Sequence, residues 1–261
     1  MIDWNEVWRL AMLGTGRIRP SDTTFWDNLA ESRSAGEGAM SDLTVAQLER
    51  ITVEPEHSVL EIGPGDGRLT LPLARKVERI TAVEPSERML RLLHDGAIRE
   101  GLNNITFLQC PWEDVEDVEK HDVVLASFSI MMPDLEEGLL KMDALAMESV
   151  YLFLSAEFWI PEEIQSIAYG TDISAGLSDL LIVYNMLHGT GILANVEIIE
   201  HRSERAFETM EEAIEMFTRL YEVPEGKREE LEKWLDSALC PRDGRMWLTR
   251  PKRLAMVWWR K

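Results

Sequence analysis

Seven short apolar runs, alternating for much of the chain with stretches of helical periodicity, predict an α/β fold: a seven-stranded, mostly parallel sheet in three layers, with helices on both faces. Two further observations support that outline. The first run, 58–62, empties directly into a glycine-rich turn, as strands do at the binding edge of an open parallel sheet. Helically spaced apolar residues also fill the stretch before it and the stretches behind the fifth and sixth runs, which predicts N-terminal helices and helical insertions.

Taken in order, Trp4, Val7, Trp8, Ala11 and Met12 share one side of a helix over 3–12 that ends near Gly14. A second short helix follows Pro20, with Ser21 or Asp22 as its cap and Phe25, Trp26 and Leu29 on one side. The Ser-Ala-Gly-Glu-Gly segment 34–38 reads as a hinge, and Leu43 to Ile51 resumes helical spacing up to the Glu54-Pro55 break. Strands are expected at 58–62, 80–84, 105–109, 122–127, 149–155, 195–201 and 253–259, with helices near 67–76, 86–100 and 113–118. Residues 161–193 read as helical with a break around Gly170 to Gly176, and 208–239 as two helices parted at Pro224-Glu225-Gly226.

At 261 residues the chain can close one substantial core. Its 47 acidic against 27 basic residues give a net charge of -20, a field that repels nucleic-acid backbones and anionic membranes. The basic run Arg242, Arg245, Arg250, Lys252 and Arg253 is the single candidate exception, and it reads as a solvated strand flank. Cys110 and Cys240 supply neither a disulfide framework nor a metal-ligand spacing, so no metal is expected. The N-terminus lacks a signal-peptide pattern and no apolar run is long enough to span a membrane, so a cytoplasmic protein is expected.

The chemistry concentrates in Glu61-Ile62-Gly63-Pro64-Gly65-Asp66-Gly67-Arg68, where glycines let the backbone turn sharply and approach a ligand. One strand later Glu84 stands where an acidic side chain can accept two ribose hydroxyls, which points to a nucleoside-containing ligand. The third glycine of a dinucleotide fingerprint is replaced by Arg68, and Asp66 would set a negative charge where a pyrophosphate should rest.

These segments resemble the class I, Rossmann-like S-adenosylmethionine-dependent methyltransferases. The resemblance lies in Glu61 to Gly67, in Val83-Glu84-Pro85-Ser86 with Met89, in Phe107 to Glu113, and in His121 to Phe128. It covers about residues 56–156, and beyond 156 only the order of elements is similar. It implies S-adenosylmethionine as cofactor and S-adenosylhomocysteine as product. Gly63, Gly65 and Gly67 would pass beneath the methionine part, Glu61 would hydrogen-bond near its amino group with Asp66 also suiting the cationic groups, Glu84 would hold the ribose, and Pro85 and Met89 would be further cofactor-binding residues. Trp112 and Glu113 would flank the adenine, and Ser127 with Phe128 would floor the sulfonium, where an aromatic face favours a cation. Trp112 can equally be core, and Glu113 a helix cap. The segment Ser127-Phe128-Ser129-Ile130-Met131-Met132-Pro133 departs from the motif of base-amino methylating members, which agrees with the acidic charge in disfavouring nucleic acid.

A single domain over 1–261 is expected, with a helical cap (1–55), a cofactor-binding core (56–156) and insertions at 157–194 and 208–246 forming the substrate side. Trp4, Trp26, Phe158, Tyr169, Tyr184 and His188 fall in those outer segments, and each can be either pocket wall or core. His188 and Tyr184 are the residues placed to act as a base, His188 having the alternative of a surface group at a helix end. The expected activity is methylation of a small molecule. A protein substrate, a nucleotide-dependent oxidoreductase and a non-catalytic binding protein are the alternatives, and oligomeric state and the acceptor atom stay open.

Overall fold

The computed structural model describes residues 2–14, 23–31, 41–157, 162–170, 178–221 and 223–261. The expected hinge 34–38, the caps Ser21 and Asp22, and Phe158 lie outside the described residues.

One sheet organises the molecule. Its strands are β1 (Ser58–Ile62), β2 (Arg79–Val83), β3 (Ile105–Leu108), β4 (His121–Ser127), β5 (Ala146–Ser155), β6 (Asn195–Phe207), β7 (Leu239–Arg242) and β8 (Arg245–Arg260). They lie in the order β3-β2-β1-β4-β5-β8-β6, with β7 added beside β8. The first five are parallel, and β8 runs antiparallel between β5 and β6. Strand β1 is buried along its whole length, as a central strand covered on both faces must be.

The helices are α1 (Trp4–Gly14), α2 (Thr24–Glu31), α3 (Asp42–Leu48), α4 (Thr70–Ala74), α5 (Glu87–Glu100), α6 (Leu135–Leu145), α7 (Glu162–Tyr169), α8 (Asp179–Gly189), α9 (Met210–Tyr221) and α10 (Arg228–Ala238). Side-chain alternation sends Leu60, Ile62, Val124, Ala126, Val150 and Leu152 to one face, beneath Trp8 of α1, Leu139 of α6 and Ile182 of α8. Val59, Val123, Leu125, Tyr151 and Phe153 go to the other, against Leu73 of α4 and the flank of α3. The three expected layers are thus present.

The strand count is eight rather than seven. Asp243 and Gly244, with φ of 53° and 78°, turn the chain between β7 and β8, and β8 begins at Arg245 instead of 253. An Asp-Gly pair between extended runs is a strong hairpin signal, because both residues tolerate positive φ. The long β8 pairs with β6 over 13 positions, from Asn195↔Trp258 to Phe207↔Met246. The outer part of this ribbon carries its own apolar cluster of Ile164, Phe207, Ile214, Phe217, Tyr221, Leu231, Leu235 and Leu248 under α7, α9 and α10.

Helix α6 is absent from the sequence expectation. Its signal is local: Asp134 caps the helix by accepting the Glu137 N–H at 3.0 Å, and Leu135, Leu139 and Met142 follow at helical spacing. The expected helix 113–118 is instead a single 3-10 turn, Trp112–Asp114, and the carbonyls of Trp112 and of the following Val115 accept the Lys141 ammonium at 2.8 and 2.6 Å.

Candidate functional site

The strand order reverses at β1, with β2 on one side and β4 on the other, and a crevice opens at that point beyond the carboxyl ends of these strands. Its volume is about 500 Å³. Four loops wall it: the glycine turn after β1, the Glu84-Pro85 corner after β2, the segment 111–113 after β3, and the segment 127–132 after β4.

The glycines divide their work. Gly63 has φ +67°, and a Cβ built on it would overlap the Cβ of Ser129, whose hydroxyl donates to the Ile62 carbonyl. Only glycine allows the loop after β4 to close this tightly on the end of β1. Gly65, at φ +59°, has no protein atom within 4 Å of such a Cβ, so its missing side chain leaves room in the crevice itself.

Glu84 is 6% exposed and is fixed from two sides: the Gly65 N–H donates to Oε2 at 3.1 Å and the Ser86 N–H to Oε1 at 2.9 Å. Burial nevertheless pushes its pKa up from the ordinary carboxylate value, against the pull of those two donors. Glu61 is 2% exposed and accepts the Thr70 hydroxyl at 2.8 Å. Burial raises its pKa to about 7; the Thr70 hydrogen bond and the Arg68 cation oppose the rise, and the Glu84 and Asp66 carboxylates add to it. A cation in the crevice would therefore be met by carboxylates that gain by ionising beside it.

Most of the expected cofactor residues meet here. Glu61, Gly63, Gly65, Asp66, Glu84, Pro85, Met89, Trp112, Glu113, Ser127 and Phe128 all line the crevice. Gly67 does not line it; a Cβ there would overlap Leu93 of α5, so its role is packing. Trp112 is both wall and core, with its indole N–H donating to the Gly138 carbonyl at 3.2 Å. Phe128 is held at φ +56°, rare for an aromatic residue, and is 40% exposed at the rim.

The outer candidates scatter. Trp26 lines the crevice from α2, and the neighbouring Asp27 accepts the Ser86 hydroxyl at 2.6 Å, which ties α2 to the Glu84 corner. That bond leads the effects that hold Asp27 below the usual carboxylate range. Trp4 packs into the core beside α8 rather than lining the crevice. Tyr184 and His188 occupy the exposed side of α8, and neither reaches the crevice wall. Tyr169 closes α7, and its side chain lies outside the described residues.

One arrangement escaped the sequence reading. Arg68, noted there only as a missing glycine, donates from Nη1 to Thr44 and Gln47 of α3, both at 2.7 Å, and from Nη2 to Ser127 at 3.2 Å. Gln47 in turn donates to Ser127 at 3.0 Å, so α3, the glycine turn and the floor of the crevice are held as one unit. No local pattern announces it, because its members come from three distant segments. Among the described residues no group of acidic, histidine or cysteine side chains could hold a metal.

Residues 59–145 match the family described as Methyltransferase domain. An uncharacterized protein of Haemophilus influenzae is 28% identical over 217 residues, 81% of this chain and 79% of that protein. Ribosomal RNA small subunit methyltransferase A of Bacillus pumilus is 35% identical over 95 residues, 35% of this chain but 29% of that enzyme. Among solved structures, precorrin-6y C5,15-methyltransferase of Geobacter metallireducens superposes with a TM-score of 0.53 at 14% identity, over 87% of this chain and 94% of that one. That likeness is one of fold. Residues 59–145 thus carry a methyltransferase domain, and the sheet has the Rossmann-like fold of the class I, S-adenosylmethionine-dependent methyltransferases that the chain is similar to.

Proposed function

We propose that the crevice between β1, β2 and β4 holds the cofactor with its ribose on Glu84, and that the methyl group passes to a small organic acceptor. The observation that carries this reading is the pairing of Gly65, which opens space where a side chain would intrude, with a Glu84 carboxylate fixed at 3.1 Å from its N–H. Both Glu84 oxygens keep lone pairs free for hydroxyls after accepting their backbone donors. When bound, the cofactor supplies an electrophilic methyl on a sulfonium.

The chain's own residues then do the rest. Glu61 and Asp66 present negative charge to the cationic end, Met89 and Trp112 pack the apolar wall, and Phe128 offers an aromatic face at the rim. The Arg68 network keeps these loops in register, and positioning of this kind can carry much of the rate in a transfer that needs in-line approach. Neither Tyr184 nor His188 touches this volume, which supports orientation over a dedicated base from α8.

A small acceptor is favoured over RNA by the net charge of -20 and by a crevice of about 500 Å³. The ribosomal RNA relative favours the second reading, and its similarity is confined to 95 residues. Calorimetry with S-adenosylhomocysteine tests the cofactor site: the native chain should bind, and Glu84→Gln should weaken binding at least tenfold with the thermal midpoint little changed. Equal binding by both would overturn the placement. Methyl-label transfer offered in parallel to small-molecule extract and to ribosomal RNA separates the two acceptor classes.

A further inference from the structure

The parallel half of the sheet ends at the crevice, but β6 and β8 continue beyond it. Because β6 runs in the same direction as β5, its last residues and the first residues of β8 project past the carboxyl edge of the sheet, on the crevice side. Register puts His201 opposite Lys252, Ser203 opposite Arg250 and Arg205 opposite Leu248. Directly paired residues share a face, so these side chains form one inner row. It begins beside α3, where His201 feels the charges of Asp42 and of the crevice residue Arg68, and it ends at α7, where Glu163 accepts Arg250 Nη2 at 2.8 Å.

The two faces of this ribbon differ in how their charges are satisfied. On the outer side Arg242 pairs with Glu204 at 3.3 Å, Arg245 with Glu208 at 2.7 Å, and Arg253 with Glu200 at 3.3 Å. The basic run read from the sequence as a solvated strand flank behaves as one there. The inner row does not. Among the described residues Arg250 Nη1 and His201 Nδ1 are shut off from solvent without a hydrogen-bond partner, the Arg250 guanidinium lying 5.6 Å from the Trp234 ring and the His201 ring bonding elsewhere to the Arg202 backbone. Shielded nitrogens in folded proteins nearly always find such a partner. Among the described residues no carboxylate lies within ion-pair distance of Lys252, which stands exposed in the same row. In a chain so acidic overall, this is a local reversal of sign, on strands that project past the carboxyl edge of the sheet.

We infer that the inner row of Arg250, Lys252 and His201 is an acceptor subsite that binds an anionic group, a carboxylate or a phosphate, and so holds a small acidic substrate with its reacting atom toward the crevice. The inference rests on the small-acceptor reading above and names the chemistry of that acceptor. A guanidinium with one nitrogen already braced by Glu163 is fixed in orientation, which favours directed, charge-assisted hydrogen bonds to an oxyanion.

The test follows the ring C–H signals of the five histidines by NMR in the chain saturated with S-adenosylhomocysteine, the His201 signal being assigned with His201→Asn. Inorganic phosphate and benzoate are titrated separately, so that the anion class is distinguished. The His201 signal should shift and saturate with at least one of them in the millimolar range, and Arg250→Gln with Lys252→Gln should weaken that response at least tenfold. Arg242→Ala, on the outer face, should leave it unchanged. If the native chain shows no saturable shift with either anion, the subsite is overturned, even if a short oligoribonucleotide moves the signal. That result needs no variant to fold. Failure of S-adenosylhomocysteine to saturate the chain would strike the cofactor reading instead, and the two failures are read from separate titrations.

Discussion

The crevice and the distal end of the β6–β8 ribbon are both closed structures, but they are closed by different means. At the crevice, backbone geometry decides: Gly63 lets Ser129 press against the end of β1, and Glu84 ties two loops through their N–H groups. At the distal end, apolar packing decides, with the Phe217 ring lying 5.5 Å from Tyr221, 5.3 Å from Trp234 and 6.4 Å from Phe207. The lesson is that one chain can hold a crevice on main-chain joints and close its far end on side-chain packing.

The sharpest way to break this division is Phe217→Ala. The residue is buried among three rings, and emptying such a position costs about 3–5 kcal/mol. Hydrogen exchange should show the loss concentrated in α7, α9 and α10, with S-adenosylhomocysteine affinity retained; matching protection losses across β1 and β2 would mean the two regions fold as one. Gly63→Ala comes next. Positive φ and overlap with Ser129 together should cost about 3 kcal/mol in denaturant unfolding, and cofactor affinity should fall with it.

Gly65→Ala sharpens the same contrast from within the crevice. Its strain is conformational only, about 1 kcal/mol, since no protein atom lies near the added carbon. Calorimetry should nevertheless find cofactor binding weakened at least tenfold, because the methyl enters the space left for ligand.

The smallest effect is the pH dependence carried by Glu61, whose pKa of about 7 lies above the 4.5 of the unfolded chain. The unfolded state releases its proton first, so this group makes stability fall as pH rises from 4.5 through 7 and level off above 8. Between pH 6 and 8 the change is about 1 kcal/mol. Glu61→Gln should remove that part of the slope in urea titrations, while in the native chain a cationic ligand should bind more tightly as pH rises through 7. An unchanged slope in the variant would mean that Glu61 is not the titrating group.

Legibility in the sequence followed the same line. Strand β1 and the glycine turn are contiguous, and each residue's conformational demand is its own, so the crevice residues from Glu61 to Met89 could be named in advance. Helix α6 and the β7–β8 turn were also written locally, in the Asp134 cap with the apolar spacing behind it and in the Asp243-Gly244 pair, but these signals are short and sit inside mixed polar runs. The Arg68 network and the inner cationic row had no such signal. Arg68, Thr44, Gln47 and Ser127 meet only because β1, β4 and α3 converge.

The sequence by itself determined the α/β layering, the cofactor turn with its acidic partner one strand later, and the acidic balance of the whole chain. These depend on short-range periodicity and on which residues tolerate positive φ, properties that neighbours along the chain already settle. Tertiary structure decided which aromatic residues wall the crevice, that Tyr184 and His188 face away from it, and which cations of 242–253 turn inward. A strand's register assigns every side chain to one face or the other, and that register is fixed only when distant strands pair.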